Sequence, residues 1–156
     1  IMKSKEIYDG ALPSGNSVAA LNFLRLGRLT GSTDLEKKAD QLTRAFASEV
    51  MEHPAAFTQL LISLDFMIGP SQEIVFAGDP FAETMREMLS VFQKKFLPNK
   101  VMLLHPYGEE GKRLAALSPF VEPMHSVDHQ PTVYLCEQYS CRRPITTVSE
   151  LKTLLH

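Results

Sequence analysis

Residues 73–96, EIVFAGDPFAETMREMLSVFQKKF, carry two periodicities end to end. Glu73 to Ala77 is a short β-rich run stopped by Gly78-Asp79-Pro80. From there Phe81, Met85, Met88, Leu89, Phe92 and Phe96 recur at the spacing of one helix face, which predicts a helix over Phe81 to Phe96. The strand-then-helix pattern repeats downstream. Pro98-Asn99 turns the chain, Val101 to Leu104 (VMLL) is a second apolar strand, and Glu109 to Leu117 a short helix. Thr132 to Cys136 (TVYLC) is a third strand, followed by a last helix over Val148 to Leu155. Such alternation argues for parallel strands joined by right-handed crossovers. Residues 71–156 are expected to form a small three-stranded, mostly parallel α/β layer, with Ser118 to Pro131 and its three prolines as loop.

Residues 1–70 read as helical. Val18, Leu21, Phe23, Leu24, Leu26 and Leu29 are too dense for one narrow stripe, which predicts a helix buried on most sides, stopped by Thr30-Gly31-Ser32. Asp34 is placed to cap a second helix, Leu35 to about Met51, with Leu35, Ala39, Leu42, Phe46 and Val50 on its apolar face. Pro54 suits the first turn of a third, which runs to Ile68 and ends at Gly69-Pro70-Ser71. Three closely linked helices read as successive members of a bundle or a two-layer toroid. The fold class expected is α+β or α/β, with a helical segment over 1–70 and an α/β segment over 71–156 in one compact unit.

Composition narrows the function classes. The 156 residues are 44% hydrophobic and 22% charged, a globular balance. A net charge of -2 supplies no basic face for nucleic acid. No apolar run approaches the ~18 residues that span a bilayer, and the first six residues lack the apolar segment of a signal peptide. Two cysteines are too few for a disulfide scaffold, so a reducing, cytoplasmic setting is the expectation. Ile1 ahead of Met2 suggests a chain that begins inside a longer protein.

Ligands of open parallel sheets bind outside the carboxyl ends of the strands. That rule collects Gly78 and Asp79 after the first strand, His105 and Tyr107 after the second, and Cys136 at the end of the third. Asp79 serves equally as a helix cap, and FAGDP has neither glycine-rich phosphate motif. A second constellation is His125-x3-His129-x6-Cys136-x4-Cys141, whose side chains are the donors of a closed tetrahedral zinc site. The competing reading is a buried, structural cysteine pair, and the C-x4-C spacing misses the C-x-x-C of dithiol oxidoreductases. A third lies in YDGALPSGNSVAALNFLRL, residues 8–26, where Asp9, Ser14, Asn16 and Ser17 precede or open the first helix. Unpaired N–H groups there favour an oxygen-rich ligand, such as a carboxylate or sugar hydroxyls. Capping by Asn16 or Ser14 accounts for every residue of that stretch except Asp9.

Two motifs, D-G-x-x-P-S-G-N-S at Asp9 to Ser17 and Y-x-C-x-x-x-x-C-x-x-P at Tyr134 to Pro144, together with GPSQEIVFAGDP and FLPNKVMLL between them, resemble the C-terminal region of the spermatogenesis-associated protein 20-like family of thioredoxin-domain-containing proteins. Members are much longer, with an N-terminal thioredoxin-like domain, absent from this chain, and a middle region similar to (α/α)6 toroids of epimerases and glycosidases. The resemblance implies that Val18 to Ile68 are the last toroid helices and that Glu73 onward is a terminal α/β segment. It also implies a sugar-like ligand near Asp9, Ser14, Asn16 and Ser17. Glycoside hydrolysis generally needs paired carboxylates and only Asp9 is well placed, so the isolated chain is expected to be non-catalytic. Its apolar helices are expected to be covered by the rest of the full-length protein or by self-association as a homodimer. No nucleic-acid or membrane partner and no cofactor is expected, zinc excepted.

Overall fold

The computed structural model describes residues 6–137 and 140–155. The first five residues, part of the stretch read above as lacking a signal segment, lie outside it. The chain divides into two compact units, Ile1–Pro70 and Ser71–His156.

The first unit is helical. Helix α1 (Gly15–Thr30) begins at Ser14, whose Oγ accepts from the Ser17 amide, and ends at Gly31 in the left-handed conformation, φ 70°. It buries Ser17, Ala20, Leu21, Leu24 and Gly27. Val18 and Leu26 stay 39% and 47% exposed, so this helix is covered on one side, where its composition predicts burial on most. It packs on α2 (Thr33–Ala45) and on α4 (Thr58–Ile68). The single second helix expected from Leu35 to Met51 is two: α2 stops at Phe46 and α3 covers Ala47–Glu52. The break follows Thr43, whose hydroxyl reaches back to the carbonyls of both Ala39 and Asp40. Asp34 lies in the first turn of α2, with Ser32 at the cap position. Pro54 opens a 3-10 turn, Pro54–Ala56, and α4 starts after it. Ile7, Ala20, Val50, Phe57 and Leu60 form the core of this unit.

The second unit is a four-stranded mixed sheet with helices, ordered β2-β1-β3-β4, where β1 is Gln72–Ala77, β2 Lys100–His105, β3 Thr132–Glu137 and β4 Ser140–Cys141. β1 pairs with β2 in parallel, Gln72 opposite Lys100 through Ala77 opposite His105. The crossover between them is α5 (Glu83–Gln93), as strand–helix alternation predicts. β3 is different. It runs antiparallel to β1, Ala77 opposite Thr132 and Gln72 opposite Glu137, and β4 pairs antiparallel with β3. The reason is the path of the chain. Helix α6 (Gly108–Leu117) leads away from the carboxyl end of β2, and residues 118–131 bring the chain back to the end it left. There Met124 bonds His105 and Val127 bonds Thr132 at the start of β3. An alternation rule that counts one helix per crossover misses this second traverse.

β1 and β3 are the interior strands, and β1 is buried from Glu73 to Ala77. One sheet face carries Ile74, Phe76, Val133 and Leu135 against Met85, Met88 and Phe92 of α5 and Leu151 of α7 (Val148–Leu154). Phe76 and Phe92 meet edge to face at 5.5 Å. The other face carries Val75 and Cys136 against Val121 and Met124. Phe81 and Phe96, expected on the core face of a longer helix, are 84% and 92% exposed, because α5 starts and ends inside them. Among the described residues no helix is long and apolar enough to cross a membrane.

Candidate functional site

At the carboxyl ends of the parallel pair β1 and β2 a cleft of about 570 Å³ opens, within the usual size range of small-molecule sites. Gly78 follows β1 into it and His105 closes β2. Tyr107 and Gly108 lead into α6, which adds Gly111 and Lys112; the returning loop supplies Glu122, His125 and Ser126.

His105 is the fixed point of the cleft. It is 7% exposed, and its Nδ1 lies 2.7 Å from the Met124 carbonyl oxygen. A carbonyl only accepts, so Nδ1 carries the hydrogen and donates, and in the tautomer this defines Nε2 is the acceptor. The Nε2 and Cδ2 edge of the ring faces Gly111: a Cβ there would come within 3.3 Å of Nε2 and would run into the Pro106 carbonyl oxygen. Glycine at 111 is what lets α6 lie this close to the His105-Pro106 turn. The His125 ring sits 5.5 Å from that of His105, tilted by 35°. Tyr107 is half exposed, and its hydroxyl is 2.5 Å from Ser126 Oγ. Lys112 pairs with Glu109 at 2.7 Å on the exposed side of α6.

Tyr134 anchors the returning loop, donating its hydroxyl to the His125 carbonyl at 2.6 Å. Burial raises its pKa above the ordinary tyrosine value. Thr132, fully buried, accepts from the Val127 amide and donates to the Gln130 carbonyl. Between them Asp128 and His129 both have positive φ, 48° and 59°, the two central positions of a tight hairpin turn.

The sequence candidates distribute unevenly over this geometry. His105 and Tyr107 line the cleft together with His125, which the sequence singled out only as a metal donor. Asp79 does not line it; its Oδ1 accepts from the Phe81 amide two residues on and shapes the turn after β1. Gly111, Lys112, Glu122 and Ser126 were not foreseen. The one local signal among them was Gly111, a glycine inside a helical pattern.

The zinc constellation does not assemble. Cys136 and Cys141 are bonded to each other as a disulfide, so neither sulfur is a thiolate ligand, and His129 is held in the hairpin turn. No group of three or more His, Cys, Asp or Glu able to hold a metal exists among the described residues.

The Asp9 to Ser17 stretch is knit into its own unit. Asp9 is 8% exposed; Oδ1 accepts from the Ser14 amide at 2.8 Å, and Oδ2 from the amides of Gln59 and Leu60 at 2.9 and 3.1 Å. Ser14 caps α1 and its Oγ also lies 2.8 Å from that of the fully buried Ser17. Asn16 donates to the Glu6 carbonyl at 2.7 Å.

The fold defines the chain as a two-part protein of the α+β class. Across 155 residues, 99% of the chain, it is 36% identical to spermatogenesis-associated protein 20 of Rattus norvegicus and 34% identical to that of Homo sapiens. An uncharacterized protein of Caenorhabditis elegans is 32% identical over 152 residues. The chain spans 20% of the length of each of these relatives. The resemblance to the spermatogenesis-associated protein 20-like family thus extends over nearly the whole chain and is consistent with a C-terminal region. No family profile matches the chain, and no solved structure does.

Proposed function

We infer that the chain is a non-catalytic binding segment of the longer protein and that the His105 cleft receives a small polyhydroxylated, sugar-class ligand. One observation carries the reading: His105, with its Nδ1 held by the Met124 carbonyl, lines a cleft that also holds two hydroxyls and two further ring faces. A ring of hydroxyls supplies the donors that Nε2 requires, and its C–H faces suit the rings of Tyr107 and His125. Glu122 carries the one carboxylate among the described lining residues, which favours binding over glycoside hydrolysis by paired carboxylates. The ligand expected at Asp9 is assigned to this cleft instead, because the Asp9 carboxylate is engaged by three backbone amides.

Ligand-observed NMR with a panel of neutral mono- and disaccharides tests this. Saturation transfer to at least one sugar is expected, with loss in His105→Gln and retention in Asp79→Asn. Equal transfer in His105→Gln, or none from any sugar at millimolar concentration, overturns it.

A second reading concerns partners. Leu12, Leu26, Ile62 and Ile68 of the first unit are 83%, 47%, 49% and 77% exposed, a burden that the remainder of the longer protein, or a second copy, would cover. Sedimentation of the isolated chain distinguishes the two: a dimer at micromolar concentration supports self-association, a monomer the remainder.

A further inference from the structure

The disulfide joins β3 to β4 where Cys136 and Cys141 stand directly opposite. The neighbouring Arg142 amide bonds the Leu135 carbonyl, so the cysteines occupy the non-hydrogen-bonded pair, where side chains of adjacent antiparallel strands lie closest. The hairpin is therefore already held by its backbone. Only four residues separate the cysteines, so the cross-link removes little entropy from the unfolded chain. Its value as a staple lies at the low end for a disulfide.

Its surroundings are asymmetric. Cys136 is 4% exposed and packs with Val75, Val121 and Met124. Cys141 is exposed on the two-residue edge strand. The row of strand partners continues inward from Cys136 to Glu73, a carboxyl group 6% exposed in the middle of the sheet. Residues directly opposite in an antiparallel pair share a face, so Glu73 and Cys136 point the same way. One residue of the disulfide thus meets solvent, while the other lies among apolar side chains beside a buried carboxyl side chain.

We propose that the Cys136–Cys141 disulfide is a thiol–disulfide exchange site, entered at Cys141 by an external dithiol, with Glu73 carrying the proton for the buried Cys136 sulfur. A thiolate of the dithiol attacks Cys141 Sγ, the Cys136–Cys141 bond breaks, and its electron pair leaves on Cys136. A thiolate released among apolar side chains has to be protonated, and Glu73 relays that proton from solvent. The second thiolate of the dithiol then attacks the sulfur of its own partner in the mixed disulfide and releases Cys141, which is protonated by water. Two electrons and two protons pass to the chain, and the dithiol leaves as a disulfide.

The test uses the full chain under native conditions. Dithiothreitol, as the dithiol probe, is expected to reduce the pair without unfolding, read by alkylation and mass shift alongside unchanged circular dichroism. Glutathione, as a monothiol, is expected to be trapped on Cys141, mapped by fragmentation of the tryptic peptide. Glu73→Gln is expected to slow reduction roughly tenfold or more, and Glu73→Asp to restore much of the rate. Reduction only after denaturant is added, or glutathione on Cys136, overturns the proposal, as does an unchanged rate in a folded Glu73→Gln protein. If that variant does not fold, the wild-type reduction and the trapping position decide.

Discussion

Asp9 caps helix α4 at Leu60, 51 residues further along the chain, its Oδ2 accepting the Leu60 amide at 3.1 Å and the Gln59 amide at 2.9 Å. The first amides of a helix have no partner within it, and a carboxylate satisfies them with the favourable sign of the helix dipole. Oδ1 meanwhile holds the Ser14 amide, so one side chain ties the entry to α1 to the start of α4.

Removing that clip leaves three amides without their acceptor. Asp9→Ala is expected to lower unfolding stability by about 3 kcal/mol and Asp9→Asn by about 1–2 kcal/mol, since hydrogen bonds to a charged group are worth about 1.5–3 kcal/mol each and couple with one another. Denaturant titration followed by circular dichroism measures this. A loss below about 0.5 kcal/mol in Asp9→Ala would show that the carboxylate holds nothing together.

Two serines in cap positions are expected to behave differently. Ser14 bonds the Ser17 amide, whereas Ser32 at the start of α2 makes no side-chain cap bond. Ser14→Ala should cost about 1 kcal/mol and Ser32→Ala a few tenths at most. Similar losses from the two would contradict the geometry.

At Gly111 the sign of the effect is diagnostic. In an unhindered helix interior, Gly→Ala stabilises by about 0.8–1.0 kcal/mol. Here the new Cβ would run into the Pro106 carbonyl oxygen, so Gly111→Ala should destabilise by about 2 kcal/mol and shift the His105 ring resonances. A stabilised Gly111→Ala protein with an unmoved His105 would mean that α6 does not lie where the cleft requires.

The alkaline limb of stability has two opposing contributors. Burial raises the Tyr134 pKa above 10.0, so its contribution is complete below pH 10.0 and is lost as pH rises through the folded value. Burial lowers the Lys100 pKa below 10.5, so its burden lifts as pH rises toward 10.5. Tyr134→Phe is expected to remove the downward component, and to delete a tyrosinate that forms above pH 10.0 in a titration of phenolate absorbance. An unchanged alkaline profile in Tyr134→Phe would assign the downward component elsewhere.

What the sequence disclosed follows the range of the interactions involved. The first helix and its stop at Gly31, the strand and helix that follow Ser71, and the last helix are local matters of capping and period and are legible, whereas the sequence leaves the cap of α1 open between Ser14 and Asn16 and runs α5 out to Phe81 and Phe96. Asp9 stood out as the residue capping did not require, but its partners at Gln59 and Leu60 leave no mark in the nearby sequence. The same holds for the cleft. His105 and Tyr107 follow from the strand-end rule, while Lys112, Glu122 and Ser126 arrive from a helix and a returning loop whose path no periodicity encodes. The antiparallel β3 belongs to the same class, because strand direction depends on how often the intervening chain crosses the sheet.

The position of β1 between β2 and β3 has a consequence for synthesis of the chain on the ribosome. β1 emerges first of the four strands, with both of its edges open. β2 closes one edge soon afterwards through a short crossover, but the other stays unpaired until the returning loop has been made and Thr132 onward has left the exit tunnel. Until then an apolar strand with an open edge is available to neighbouring nascent chains. A ribosome that stalls between Leu117 and Pro131 would release a product of that kind, and quality-control factors that bind exposed strands would be expected to recognise it over any shorter product that ends before β1.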